Sequence, residues 1–337
     1  MLVLTTLLWG LSFPLVKDWH AAAHLCPGRE VVAGPTLIAL RMFLALALLA
    51  ALQPRLLRST TRGELVAGSL IALVFFPAFC LQAIGAADTT PALSAFFTAL
   101  GGAWVPLLSF LFWRHSVARL TLLGILVAVV GVMVLLLEPD FAFRLGRGDL
   151  LTIIGSLFFG LQIIVLDRLG KAHRPPHLSV GMFATTGILG LAAAILGTMF
   201  VGTGLGDWLA WDRTMLTDRA ALLQLAGLVV LPTYLAFTWM NTYQPRVSAA
   251  RAGLIYFLEP VFASVFSLYW AHDQLTWRLI VGGLLVLAGN LLVELPRWLR
   301  PHQRDASSAQ RSLADRERGL ENRSSDEART GSSPTAL

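Results

Sequence analysis

A carboxylate and a proline stand side by side, Glu259-Pro260, inside the apolar run Ser248–Trp270. That run is long enough to cross a bilayer, and Glu259 lies about nine residues, or roughly 13 Å, into it. An acid at such depth is costly and is usually buried, paired or functional. The proline removes one helical hydrogen bond and frees a carbonyl about four residues back, near Tyr256. Two roles follow for Glu259. Protonated, it donates to that carbonyl as a structural brace; otherwise it changes protonation or partner during a transport cycle. Many transporters build a binding site where a helix is weakened at the depth of an acid.

Other side chains join it. Arg41, about five residues or 7.5 Å inside its run, is the one basic residue that fits neither a loop, a span end nor the tail. Its long side chain reaches the interface by snorkelling, or it pairs with Glu259. Gln82, Gln162 and Asn241 are amides within or near the ends of apolar runs, where they bond neighbouring helices or line a cavity. Trp104, Trp239 and Tyr256 serve packing and interfacial belts, or walls for planar and amphiphilic solutes. These eight residues are the candidate substrate-binding or coupling set, and Pro106 and Pro260 the candidate helix breaks.

Other chemistry is poorly served. His20, His24, His115, His173, His177, His272 and His302 fall in loops, span ends or the tail without metal-ligand spacing, and are expected to be solvated. Cys26 in a loop and Cys80 inside a span suggest neither a disulfide framework nor a metal site. No catalytic residue, metal or cofactor is expected.

The elements that carry these residues are membrane spans. The chain of 337 residues is 56% hydrophobic and 14% charged, against about 45–50% and 25% for soluble domains, and its mean hydropathy is +0.68. The fold class is therefore an all-α polytopic membrane protein. Apolar runs bounded by charges, proline and glycine place ten spans near 2–19, 36–53, 65–85, 92–113, 120–137, 149–167, 178–201, 220–243, 250–271 and 277–295. The first is short, so Lys17 snorkels or the chain starts slightly late. It lacks a basic n-region, although Ala21-Ala22-Ala23 imitates a signal-peptide cleavage site.

Charge sets orientation rather than partners. The net charge is +6 and the pI about 10.0, but the basic residues are scattered through short loops, which excludes a nucleic-acid partner. One side holds ten of them: Arg55, Arg58, Arg62, Arg114, Arg119, Arg168, Lys171, Arg174, Arg246 and Arg251. The other holds seven: Lys17, Arg29, Arg144, Arg147, Arg213, Arg219 and Arg278. By the positive-inside rule both termini are cytoplasmic. Residues 296–337 are polar and read as a disordered cytoplasmic tail.

A repeat organises the spans. Pro106, Trp113-Arg114-His115, Leu120-Thr121, Gly124 and Gly131 recur in order as Pro260, Trp270-Ala271-His272, Leu275-Thr276, Gly282 and Gly289. This argues for a duplicated unit of five spans, residues 1–137 and 149–295. Five is odd, so the second copy enters the membrane inverted, as in many secondary transporters. Glycines seven apart share a helix face and serve close packing. Glu259-Pro260 falls opposite Val105-Pro106, so the proline is common to both copies and the acid is not.

Further stretches carry a family resemblance. They are Trp9-Gly10 with Phe13 and Lys17, Ala39-Leu40-Arg41-Met42-Phe43, and Leu81-Gln82 through Thr89 to Pro106-Leu107-Leu108. Gly148-Asp149-Leu150-Leu151, Ser248 to Arg251 and Leu258-Glu259-Pro260-Val261-Phe262 follow in order. Over nearly all of residues 1–295 the chain resembles EamA-type members of the drug/metabolite transporter superfamily. The resemblance implies ten helices in two inverted five-helix repeats with alternating access to a central cavity. Family members move amino acids, nucleobases, nucleotide-linked sugars and drugs. Two features depart from the family: His272-Asp273-Gln274 stands where Gly-Glu-Arg is usual, and the loop Asp18 to Pro35 looks long.

The function expected is a secondary transporter, an exporter or exchanger, moving a small organic metabolite or drug-like solute across the cytoplasmic membrane, proton-coupled or by exchange. Its partners are the solute and the lipid bilayer. The alternative is a polytopic membrane enzyme acting on lipids, which needs acid, base or nucleophile groups clustered near one interface; the sequence offers no such cluster. A channel, the third reading, predicts flux without saturation or counterflow.

Overall fold

A computed structural model of the chain describes residues 1–22, 30–113, 118–137, 142–202, 204, 206, 208–209, 215–247, 249–270 and 272–299. They form α1 (Leu2–Ala22), α2 (Glu30–Leu52), α3 (Pro54–Ser59), α4 (Arg62–Gly85), α5 (Pro91–Ala99), α6 (Gly101–Trp113), α7 (Arg119–Leu135), α8 (Arg147–Ala172) and α9 (Leu178–Val201). Then come α10 (Arg219–Leu228), a π-helical segment (Val229–Leu235), α11 (Ala236–Tyr243), α12 (Ala249–Tyr256), α13 (Glu259–Tyr269) and α14 (Trp277–Leu299). Pairing between extended segments among the described residues is one isolated bridge, Leu137 to Phe143. Among the described residues six stretches are long and apolar enough to cross a membrane: Val31–Leu52, Arg62–Gly85, Pro91–Phe112, Arg147–Ala172, Pro175–Val201 and Arg219–Arg246. Arg119–Leu135 and Trp277–Val293 are shorter apolar helices.

Local chemistry sets the boundaries. Thr61 Oγ1 accepts from the Glu64 amide and Glu64 Oε2 accepts from the Thr61 amide at 2.8 Å, a capping box. It starts α4 at Arg62, three residues before the apolar run. Asp149 accepts from the Gly146 amide at 3.0 Å and from Thr89 Oγ1 at 2.5 Å. One carboxylate thus caps α8 and ties it to the α4–α5 turn. Gly202, at φ 72°, closes α9 in the left-handed conformation.

Some expected boundaries move. The expected long loop from Asp18 to Pro35 is largely helix, because α1 runs to Ala22 and α2 contains Pro35. Pro35, the sixth residue of α2, removes one helical hydrogen bond, that to the Val31 carbonyl. The last helix continues through Pro296 to Leu299. The chain divides into two units, Met1–Glu294 and Leu295–Leu337; the expected tail begins as helix over residues 296–299, and the rest of it lies outside the described residues.

Close packing follows the glycines. A Cβ on Gly124 would stand 2.6 Å from the Gly289 carbonyl oxygen, and one on Gly131 would stand 2.8 Å from that of Gly282. The four glycines read as a spaced repeat therefore face one another, and α7 runs antiparallel to α14. Helices α4 and α8 cross through Gly85 and Gly148 in the same manner, and α4 meets α9 at Gly68 and Gly181. With backbones this close, dispersion replaces the hydrophobic drive that lipid cannot supply.

Candidate solute cavity

Two spans are broken, and the breaks meet. Of the expected spans, the fourth stops at Ala99, turns at Leu100 and resumes at Gly101. The ninth stops at Tyr256 and resumes at Glu259, with Pro260 in the first turn of the new helix. The ring of Phe257, in the second break, fills the space beside Gly102, with Cε1 2.6 Å from where a Cβ would be. The sequence placed the first break at Pro106, and the structure corrects this. Pro106 lies inside a continuous α6, and the break falls where Gly101-Gly102 lowers the cost of leaving the helix.

A cavity opens beside these breaks. Its atom-free envelope is about 760 Å³, part of it open to the outside, around an inner space of about 80 Å³. Aromatic rings form one wall. Phe237 lies 5.1 Å from Phe75 and 5.6 Å from Trp9, and Trp9 lies 5.4 Å from Tyr256, centroid to centroid. Such tilted and edge-on pairs make a stiff apolar surface.

Five of the eight candidate residues line this cavity: Arg41, Gln82, Gln162, Tyr256 and Glu259. Gln82 Nε2 donates to Thr98 Oγ1 at 2.7 Å, crossing from α4 to α5. Tyr256 donates to Gln244 Oε1 at 2.8 Å, and Gln162 Nε2 lies 3.7 Å from Met240 Sδ. Glu259 makes no hydrogen bond or ion pair with any described residue. The structural brace expected from the carbonyl freed by Pro260 is therefore not made.

Arg41 does not snorkel. Its residue exposure is 2%, its Nε donates to Thr233 Oγ1 at 2.9 Å, and its guanidinium lies 5.0 Å from the Phe79 ring centroid. Depth from the helix end was a poor guide here, because α9 and the π segment cover α2 along its length. Nor does Arg41 form an ion pair with Glu259. Thr233 is held in turn, donating to the Leu228 carbonyl at 2.6 Å. That bond spans five residues, in the segment where the π geometry and Pro232 disturb the usual ladder.

The other three candidates lie elsewhere. Trp104 Nε1 donates to Ser156 Oγ at 2.9 Å and its ring packs beside Val105, Leu108 and Ile163. Asn241 is fully buried, donating to Ser179 Oγ at 3.0 Å and so joining α11 to α9. Trp239 sits between Phe237 and Met240, which do line the cavity; about 100° of rotation per residue turns it away. Trp9, Phe13, Phe75, Phe79 and Phe237 were not singled out as cavity residues, although Trp9 and Phe13 belong to the stretches that carry the family resemblance. Ordinary core aromatics carry no signal that separates them from cavity walls.

At one end of the bundle charged groups tie the helices together. Lys17 Nζ donates to the carbonyls of Ala86, Ala87 and Thr89 at 3.2, 2.8 and 2.9 Å, closing the C-terminal end of α4. It caps a helix rather than snorkelling. His272 meets Asp18 at 2.8 Å, and Asp273 accepts from the Ala92 amide at 3.0 Å and from Ser267. The expectation of solvated histidines fails at His20, which is buried with Nε2 2.7 Å from the Ala83 carbonyl; His24, His115 and His302 lie outside the described residues. At the other end Arg174 grips Glu64 at 2.6 and 2.8 Å.

Residues 146–295, which carry Gln162, Tyr256 and Glu259, match the EamA-like transporter family. Relatives extend the likeness to most of the chain. One from Archaeoglobus fulgidus is 24% identical over 87% of this chain and 84% of its own length. One from Helicobacter pylori is 25% identical over 89% and 95%. Both are described as uncharacterized transporters. With the family match they support a membrane transporter and point away from an enzyme. A protein solved by crystallography shares the fold, with a TM-score of 0.57 at 16% identity over 88% of this chain and 98% of its own.

Proposed function

We propose that this chain is an EamA-type secondary transporter that carries a small organic solute through the cavity by alternating access. The proposed frame is ten membrane spans in two inverted five-span repeats, in the cytoplasmic membrane with both termini inside. The exchange of contacts between the halves supports the repeat. The span pairs α2 with α9, and the two broken helices with each other, join equivalent elements of the two halves. The glycine face of α7 against that of α14 joins a third such pair. The pairing of α1 with α13 is likewise answered by α8 with α5 and α6.

One observation carries the transport reading: two broken helices converge on one cavity, and an acid with no partner among the described residues stands at one break. Broken spans at a repeat interface are where transporters bind solute. Glu259 is free to exchange a proton or to meet the solute, while Gln82, Gln162 and Tyr256 shape the space around it. The inner space is tight for an organic solute, so loading requires the helices around it to part. Glu259→Gln in sealed proteoliposomes tests the coupling. The variant is expected to fold and to lose pH-dependent transport; unchanged proton-coupled uptake removes Glu259 from the mechanism.

A further inference from the structure

Among the described residues Arg41 is a cation without an acid. It is buried, and its recorded partners are the Thr233 hydroxyl at Nε and the Phe79 ring. Among the described residues its terminal nitrogens have no hydrogen-bond acceptor, and no carboxylate lies within salt-bridge reach. An arginine keeps its charge, and an unpaired buried charge is among the most expensive features a membrane protein can hold. One hydroxyl and one ring face compensate for it only in part. Such a group is kept where something else completes it.

The space beside Arg41 says what that is. Arg41 lines the main cavity and also a smaller, adjoining one, which runs to Lys17 and the α4–α5 turn. The adjoining space has an atom-free volume of about 380 Å³. Its polar wall holds Lys17, Thr89, Thr90 and Ser94. Lys17 and Thr89 already donate, to three carbonyls and to Asp149, whereas the buried Ser94 hydroxyl has no partner among the described residues. Asp88 and Asp273 stand near Lys17, but neither lines the space. Across the main cavity the walls are aromatic, and the one acid among its lining residues is Glu259.

We propose that Arg41 is the docking point for the anionic group of the solute, and that the solute is an organic anion with a flat apolar body. The anion bonds the free guanidinium nitrogens at the junction of the two spaces. Its body lies against Phe75, Phe79 and Phe237. Thr233 positions the guanidinium by fixing Nε, which leaves the forked end for a carboxylate or sulfonate, the geometry such groups match.

This rests on the carrier reading but fails separately from it. Benzenesulfonate, charged at all working pH, and neutral benzenesulfonamide are titrated calorimetrically into the full chain in lipid nanodiscs. The anion is expected to bind at least roughly tenfold tighter, the difference that charge-assisted hydrogen bonds make. Arg41→Gln is expected to remove that preference and Arg41→Lys to retain part of it. Equal binding of the two probes, binding of neither, or an unchanged preference in a folded Arg41→Gln variant overturns the proposal. If Arg41→Gln does not fold, the wild-type ratio and Arg41→Lys decide. Counterflow of some other solute in proteoliposomes would still uphold the carrier; its absence for every solute would sink the carrier instead.

Discussion

The ring of Phe257 stands where a side chain on Gly102 would be, with Cε1 2.6 Å from the position of an added Cβ. Gly102 stands just after the break between α5 and α6, and Phe257 in the break between α12 and α13. The contact is small, yet it joins the two places where backbone helicity is interrupted. Any motion that opens the cavity between these helices must separate or slide it.

Substitutions at the glycines should therefore differ in kind. At Gly102 the obstructing atom is the far end of a side chain, which can move. At Gly124 and Gly289 it is backbone of the facing helix, 2.6 and 2.4 Å from the added Cβ. Thermal unfolding in detergent is expected to place Gly124→Ala and Gly289→Ala at the upper end of the roughly 1–3 kcal/mol that overpacking costs. Gly102→Ala belongs at the lower end, and Phe257→Leu should relieve it. Equal losses at all three positions would show that backbone proximity is not what limits them.

Lys17 holds three carbonyls at the end of α4, and the smaller space beside it reaches Ser94. Lys17→Met removes all three bonds. In a background with Cys26 and Cys80 replaced by serine, Ser94→Cys should then react faster with a small membrane-impermeant thiol reagent. A rise of roughly fivefold or more is expected, because about 1 kcal/mol of lost hydrogen bonding shifts an opening equilibrium by that factor. No change in rate would mean that Lys17 does not hold this end closed.

Thr233→Val strips the Leu228 carbonyl and Arg41 Nε of their shared partner. Unmet buried polar groups cost about 1–3 kcal/mol each, so a clear loss of thermal stability is expected. Thr233→Ser keeps the hydroxyl and should recover most of it. A Thr233→Val variant as stable as Thr233→Ser would show that the hydroxyl is not the stabilising feature.

Much of this was legible in the residues, and the failures are as physical as the successes. Glycine spacing is a one-dimensional pattern, and Gly124, Gly131, Gly282 and Gly289 do meet face to face. The acid at Glu259 was conspicuous because a carboxylate is rare in such a run, and it lines the cavity. Helix rotation is not written so plainly. Trp104 and Asn241 sit on cavity helices but face neighbours, because in an all-apolar span little distinguishes one face from another. Arg41 was misjudged for another reason: distance along its own helix said nothing about the helices packed over it. Pro106 misled because a proline permits a break without compelling one, and the neighbouring glycine pair supplied the break.

The most direct test of the carrier is counterflow in sealed proteoliposomes, with a metabolite panel loaded inside and labelled tracer outside. Alternating access through this cavity predicts saturable uptake that rises when the same solute is loaded on the far side. Glu259→Gln should fold and still exchange solute but lose any dependence of net uptake on a proton gradient. Flux that neither saturates nor responds to solute on the far side, for every member of the panel that crosses, would contradict it.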